Sequence, residues 1–201
     1  MLTSLPNLLT LSRIGVIPAI IALFWIDGDI TRWAMLGLYT FACLTDFFDG
    51  YAARSMGTIS NFGKFLDPVA DKLLVASVIL MLVAFDRVTG LSILAGLVIL
   101  CREMLVSGLR EFLADIKVGV PVSRLAKWKT TIQMVTLGFL IVGDAAPAAI
   151  PATLIGEAGL WIAAALTLVT GYDYLKTGLK HMTANDPETP VAAENRAMTP
   201  R

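Results

Sequence analysis

Asp46-Phe-Phe-Asp49-Gly50-Tyr-Ala-Ala53-Arg54, then eight residues, then Gly63-Lys-Phe-Leu-Asp67-Pro-Val-Ala-Asp71. This stretch places four carboxylates where two long apolar runs meet. The first pair is spaced i, i+3 and the second i, i+4, so on helices each pair shares one face. Take Asp46 as zero on a helical wheel. Asp49 then falls near about −60°, Gly50 near about +40° and Ala53 near about −20°. Gly63, Asp67 and Asp71 advance by about 40° each. The carboxylates therefore share their faces with residues that have little or no side chain, which lets a helix or ligand approach closely. Carboxylates at the edge of apolar segments are costly to bury without cations. Four of them on neighbouring helices call for hard divalent metal ions. An antiparallel hairpin is expected to bring the two faces together as a cleft floored by Gly and Ala, with Arg54 beside it.

The rest of the chain explains why those helices are apolar. Of 201 residues 56% are hydrophobic and 16% charged, and mean hydropathy is +0.73. Formal net charge is zero, so no basic field suggests nucleic acid. Six apolar runs suit membrane spans, at approximately 9–27, 33–54, 68–86, 90–113, 127–146 and 153–175. The fold expected is all-α, a polytopic bundle of six transmembrane helices forming one domain over residues 1–181. Residues 182–201, rich in Pro, Asn, Glu and Thr, read as a disordered tail. Residues 55–66 read as a short connection and 114–126 as a polar loop, with Pro68 in the first turn of the third helix, where a missing N–H costs little. The first run follows no basic segment and reads as a retained helix, not a signal peptide.

Orientation follows from Lys and Arg. With both termini cytoplasmic, Arg13, Arg54, Lys64, Lys72, Arg110, Lys117, Arg124, Lys127, Lys129, Lys176, Lys180, Arg196 and Arg201 all lie on the inner side. Only Arg32 and Arg87 fall outside, and Arg102 is within a helix. The four Asp residues then sit at the cytoplasmic edge. Cys43 and Cys101 read as reduced packing residues, and the lone His181 as a surface residue. Trp25, Trp33, Trp128 and Trp161 fall near span ends, where an interfacial belt accounts for them.

The pattern D-x2-D-G-x2-A-R-x8-G-x3-D-x3-D resembles the signature of the CDP-alcohol phosphatidyltransferases at every defined position. That resemblance implies a six-helix membrane fold, a homodimer, and two Mg²⁺ or Mn²⁺ ions held by Asp46, Asp49, Asp67 and Asp71. It implies transfer of a phosphatidyl group from a CDP-lipid to an alcohol with release of CMP, at the cytoplasmic side of a bacterial inner membrane. Asp71 would be the general base. Three further segments are similar to family members that accept glycerol 3-phosphate and make phosphatidylglycerol phosphate. They are Leu5-Pro6-Asn7-Leu8-Leu9-Thr10-Leu11-Ser12-Arg13, Arg102-Glu103 through Arg110-Glu111, and Ala126-Lys127-Trp-Lys129 through Met134. The donor would be CDP-diacylglycerol, met by Gly50, Ala53, Arg54 and Gly63, and at its nucleotide end by Asn7, Thr10 and Arg13. These last three could instead cap and anchor the first helix.

Glycerol 3-phosphate carries a dianionic phosphate, for which Arg110 and Lys127 are the candidate cations at the depth of the carboxylates. Glu103, seven residues before Arg110, could hold that arginine. Arg102 sits deeper and must have a partner; it and Glu103 could equally form a structural ion network. Lys117 and Arg124 suit topology or anionic headgroups. Two alternatives stay open: another acceptor, such as inositol phosphate or serine, or an ion-coupled transporter. The transporter has no need of the interleaved Gly, Ala and Arg, and no inverted repeat is visible.

Overall fold

The computed structural model describes residues 5–26, 28–56, 61–115 and 124–184. Within its helices the side chains of Asn7, Asp49, Gly50, Ala53 and Arg54 lie outside the described residues, as do the polar segment 116–123 and the tail from 185. Six α-helices follow in order: α1 Leu5–Phe24, α2 Asp29–Met56, α3 Asn61–Ala84, α4 Ser92–Asp115, α5 Arg124–Val142 and α6 Ala152–Ala184. A short 3₁₀ turn, Gly143–Ala145, separates the last two. No strand occurs among the described residues.

The helices pack as a closed circuit of neighbours: α1 on α2, α2 on α5, α5 on α6, α6 on α4, α4 on α3 and α3 on α1. Their shared interior is a core of Ile, Leu, Val, Met and Ala that includes Ile20, Met35, Leu74, Leu82, Ile99, Leu137 and Leu160. The outer faces stay apolar, with Leu80, Leu94, Leu97, Phe112, Leu154, Ile162 and Leu168 exposed. A soluble domain rarely shows so much contiguous apolar surface. Two helices are long and apolar enough to cross a membrane, Ser92–Ala114 and Ala152–Lys176, and only 22% and 33% of their apolar windows are buried. So little burial does not suit the core helices of a soluble protein; it suits segments whose outer faces meet lipid. The apolar stretch Leu8–Phe24 is shorter.

Three expectations need correction. The connection expected at 55–66 is narrower: α2 continues to Met56 and α3 already begins at Asn61. Pro68 is therefore inside α3, not in its first turn. There it leaves one carbonyl of the preceding turn without its helical N–H. Finally, among the described residues α2 and α3 are not the closely paired neighbours of a hairpin. Each leans on α1 instead, and contact between them is marginal among the described residues. Two rows of carboxylates repel one another at close range, and α1 inserts a cation and a hydroxyl between them.

At the far end from the aspartates the chain fixes two arginines. Arg87 Nη1 donates to the Ile141 carbonyl at 2.7 Å and Arg32 Nη1 to the Val142 carbonyl at 3.4 Å. Both arginines thus satisfy carbonyls at the C-terminus of α5, where the helix leaves acceptors and negative partial charge. Gly143, at φ +50°, ends that helix. A side chain there would be strained, and its Cβ would come within 3.4 Å of Arg32 Nη1.

Candidate active site

The C-terminal part of α2, the first turns of α3 and the C-terminal half of α4 enclose a cavity of about 460 Å³. Asp46 of α2 and Asp67 and Asp71 of α3 line one side. Arg102, Glu103, Ser107, Arg110 and Glu111 of α4 line the other, with Lys72 between. Three of the four predicted carboxylates thus share one cavity; the side chain of the fourth, Asp49, lies outside the described residues. Gly63 is buried on α3, one helical turn before Asp67, leaving that face without bulk.

α1 holds two of the carboxylates. Arg13 is fully buried, and its Nη1 sits 2.8 Å from Asp46 Oδ1. Thr10 Oγ1 donates to Asp67 Oδ1 at 2.5 Å. Thr10 and Arg13 lie three residues apart on one face of α1, so one helix face reaches α2 and α3 at once. Both had been assigned to the donor nucleotide by resemblance. In the structure their partners are the aspartates themselves.

Arg102 has the partners its depth requires. Its Nη2 donates to Thr170 Oγ1 of α6 at 2.9 Å, its Nη1 lies 3.6 Å from Glu103 Oε1, and its Cζ is 5.8 Å from the centre of the Tyr174 ring. Glu103 does not hold Arg110, as its spacing suggested. It pairs with Lys129 of α5, and both residues border a second, much smaller chamber beside Asp71 of about 30 Å³. Gln133 closes that chamber; its Oε1 is buried and has no partner among the described residues.

The structure separates the two cations expected at the acceptor phosphate. Arg110 lines the large cavity and makes no hydrogen bond or ion pair among the described residues. Lys127 is exposed and outside the lining of both chambers. The reason is helical phase: Lys127 and Lys129 stand about 200° apart on α5, and Lys129 is the one that turns inward, only 3% exposed. Lys129, Gln133 and Lys72 were missed as site residues. A signal for the first two was present. Lys129 and Gln133 continue the buried face of Thr136, Leu137 and Leu140 at spacings of three, four and seven, and polar residues on such a face need a reason.

The donors suit a hard divalent cation, since carboxylate oxygens are its preferred ligands. Among the described residues no three such groups come close enough to share an ion, and the side chain of Asp49 is not among them.

Comparison with known proteins follows the same lines. A family model described as CDP-alcohol phosphatidyltransferase matches residues 3–169. A curated relative from Rickettsia typhi is 53% identical over 173 residues, covering 86% of this chain and 96% of its own. One from Bacillus subtilis is 37% identical, covering 85% of this chain and 93% of its own. Both are named CDP-diacylglycerol–glycerol-3-phosphate 3-phosphatidyltransferase. Among solved structures, the phosphatidylinositol phosphate synthase of Mycobacterium tuberculosis in complex with manganese and citrate superposes with a TM-score of 0.65. It is 19% identical and covers 92% of this chain and 86% of its own. At that identity the likeness concerns the fold.

Proposed function

Since the chain belongs to the CDP-alcohol phosphatidyltransferase family, we propose that it transfers the phosphatidyl group of CDP-diacylglycerol to glycerol 3-phosphate. The products are phosphatidylglycerol phosphate and CMP. The observation that carries this reading is the single cavity in which Asp46, Asp67 and Asp71 face Arg102 and Arg110 at one end of an apolar bundle. A lipid-linked donor and a soluble anionic acceptor can meet only at such an edge. The relatives named for this reaction, at up to 53% identity, favour glycerol 3-phosphate over the acceptor of the more distant structural neighbours.

Asp46, Asp49, Asp67 and Asp71 would hold two Mg²⁺ or Mn²⁺ ions, which when bound polarise the donor pyrophosphate and offset charge on the departing CMP. Arg13 and Thr10 fix the orientation of Asp46 and Asp67 before any ligand arrives. Gly50, Ala53 and Gly63 leave room for the nucleotide, and Arg54 adds positive charge there. Arg110, free of other bonds among the described residues, takes the acceptor phosphate. Asp71 accepts the proton of the primary hydroxyl as its oxygen bonds to the lipid-bearing phosphorus. The bond from that phosphorus to the bridging oxygen breaks, and CMP leaves. In this reading the chain has six spans with both termini cytoplasmic, the site lies at the inner face of a bacterial membrane, and the protein works as a homodimer; the excess of Lys and Arg at the site's end supports the orientation.

The test is CMP release from CDP-diacylglycerol by purified protein, with a panel of alcohols and with divalent ions added or chelated. Glycerol 3-phosphate should be the preferred acceptor, and chelation should stop turnover. Asp67→Asn should fold and lose at least about a hundredfold in kcat, the order expected for a key electrostatic group. Preference for another alcohol would reassign the acceptor; ion flux without CMP release would replace the enzyme by a transporter.

A further inference from the structure

We propose that the last helix sets acceptor affinity: Gly171 and Thr170 of α6 are positioning residues that aim Arg102 into the cavity, where its guanidinium shares the acceptor phosphate with Arg110. This rests on the reaction proposed above and extends it to a helix that carries none of the signature.

Four observations converge on Arg102. It lines the same cavity as the aspartates and Arg110. Its guanidinium is tied to α6 by one hydrogen bond, Nη2 to Thr170 Oγ1 at 2.9 Å. Its Nη1 lies 3.6 Å from Glu103 Oε1, too far for a hydrogen bond, and Glu103 is already paired with Lys129. Arg102 thus keeps donors beyond the one spent on Thr170, in a planar fork suited to phosphate oxygens. The fourth observation is at Gly171. A Cβ added there would meet Arg102 Cγ at 3.0 Å, Nε at 3.3 Å and Cδ at 3.7 Å, and these are its three nearest atoms. The bare Cα of Gly171 is therefore the seat on which the arginine stem lies. Thr170, the preceding residue, holds the head. The Tyr174 ring, one turn on, stands 5.8 Å from Cζ and adds a cation–π contact. One helix face thus fixes stem, head and flank of a side chain that belongs to α4.

A structural arginine would need only a counter-ion, and Glu103 would be a sufficient one. An arginine that must present free donors to a ligand needs a support that does not use them up. A glycine seat and a single neutral hydroxyl provide that.

The experiment is steady-state kinetics with donor and acceptor varied separately, together with calorimetric binding of glycerol 3-phosphate. Gly171→Ala should raise the acceptor KM about threefold to tenfold and Gly171→Val more, since misplacing a binding group by about 1 Å is costly. Donor KM should stay within about twofold of the parent. Thr170→Val should behave like Gly171→Ala, and Thr170→Ser, which keeps the hydroxyl, should restore the parent value. In an Arg102→Ala background, Gly171→Ala should add nothing, because the pair acts through one side chain. Gly156→Ala, which crowds Leu140 instead, serves as the control: it should lower Tm without separating the two KM values. An undiminished effect of Gly171→Ala without Arg102, or equal loss for both substrates, would overturn the proposal. Should the parent use a different alcohol phosphate, the same ratios are read with that acceptor. Should no alcohol release CMP, the function fails separately. The calorimetric affinities for glycerol 3-phosphate then decide the proposal, sustaining it if they follow the same order and sinking it if they do not.

Discussion

Arg110 and Lys127 show what sequence distance hides at the scale of single residues. Both are cations near helix ends, Arg110 in the last turns of α4 and Lys127 in the first turn of α5, and both fall in segments that resemble the family. Only Arg110 reaches the cavity. Arg110→Ala should therefore weaken glycerol 3-phosphate by about ten- to a hundredfold in kcat/KM, the worth of a charge-assisted bond to phosphate, with little change in donor KM. Lys127→Ala should change acceptor kcat/KM by less than about threefold, consistent with an exposed cation. Equal losses in the two variants would restore the pair as one phosphate site. That Asp46, Asp67 and Asp71 line one cavity was legible, because fixed spacing on a helix leaves their faces no freedom. The partners of those aspartates were not. That Arg13 meets Asp46 and Thr10 meets Asp67 depends on which helix lies between, and no local pattern states that.

At the scale of elements, six helices were legible because apolar length is a strong signal, whereas their ends and neighbours were weaker ones. The glycines near residues 57–63 read as a connection, yet α3 begins at Asn61, and Pro68 is accommodated within it. Packing depends on small residues that periodicity cannot rank. Gly156 of α6 is one of them: a Cβ there would lie 2.7 Å from both Cγ and Cδ2 of Leu140 and 3.3 Å from its backbone nitrogen. The Cγ and the backbone cannot swing aside as a side-chain tip can. Gly156→Ala should push α6 from α5 and destabilise the fold by about 1–3 kcal/mol, as overpacking does. A thermal melt in detergent reads this directly. An unchanged or raised Tm would mean that α5 and α6 are not held at this separation.

The whole molecule is asymmetric along its axis, and that asymmetry sets which way it faces. Among the described residues, Asp46, Asp67, Asp71, Arg102 and Arg110 gather round one cavity toward one end. Arg32 and Arg87, consumed by the C-terminal carbonyls of α5, hold the other. Helix lengths agree with this division. From Asp29 to Asp46, α2 rises about 25 Å, and from Lys129 to Val142, α5 rises about 20 Å. If six helices cross a hydrocarbon core of about 30 Å, these rises predict Asp46 and Lys129 just inside one boundary, within reach of water. Among the described residues, α4 and α6 are the helices long and apolar enough to cross a membrane. α2, α3 and α5 carry charged residues of the candidate site, which lowers their mean hydropathy, and the apolar part of α1 is shorter. The excess of Lys and Arg on the site's side predicts that this end is cytoplasmic. A reporter fused after residue 150, between the 3₁₀ turn and α6, should therefore be found outside the cell. One fused after residue 182, beyond the apolar part of α6, should be found inside. Both fusions inside would mean that α6 does not cross, and the count of six spans would fail. An exchange of the two locations would turn the cavity outward, away from a soluble phosphorylated acceptor made in the cytoplasm.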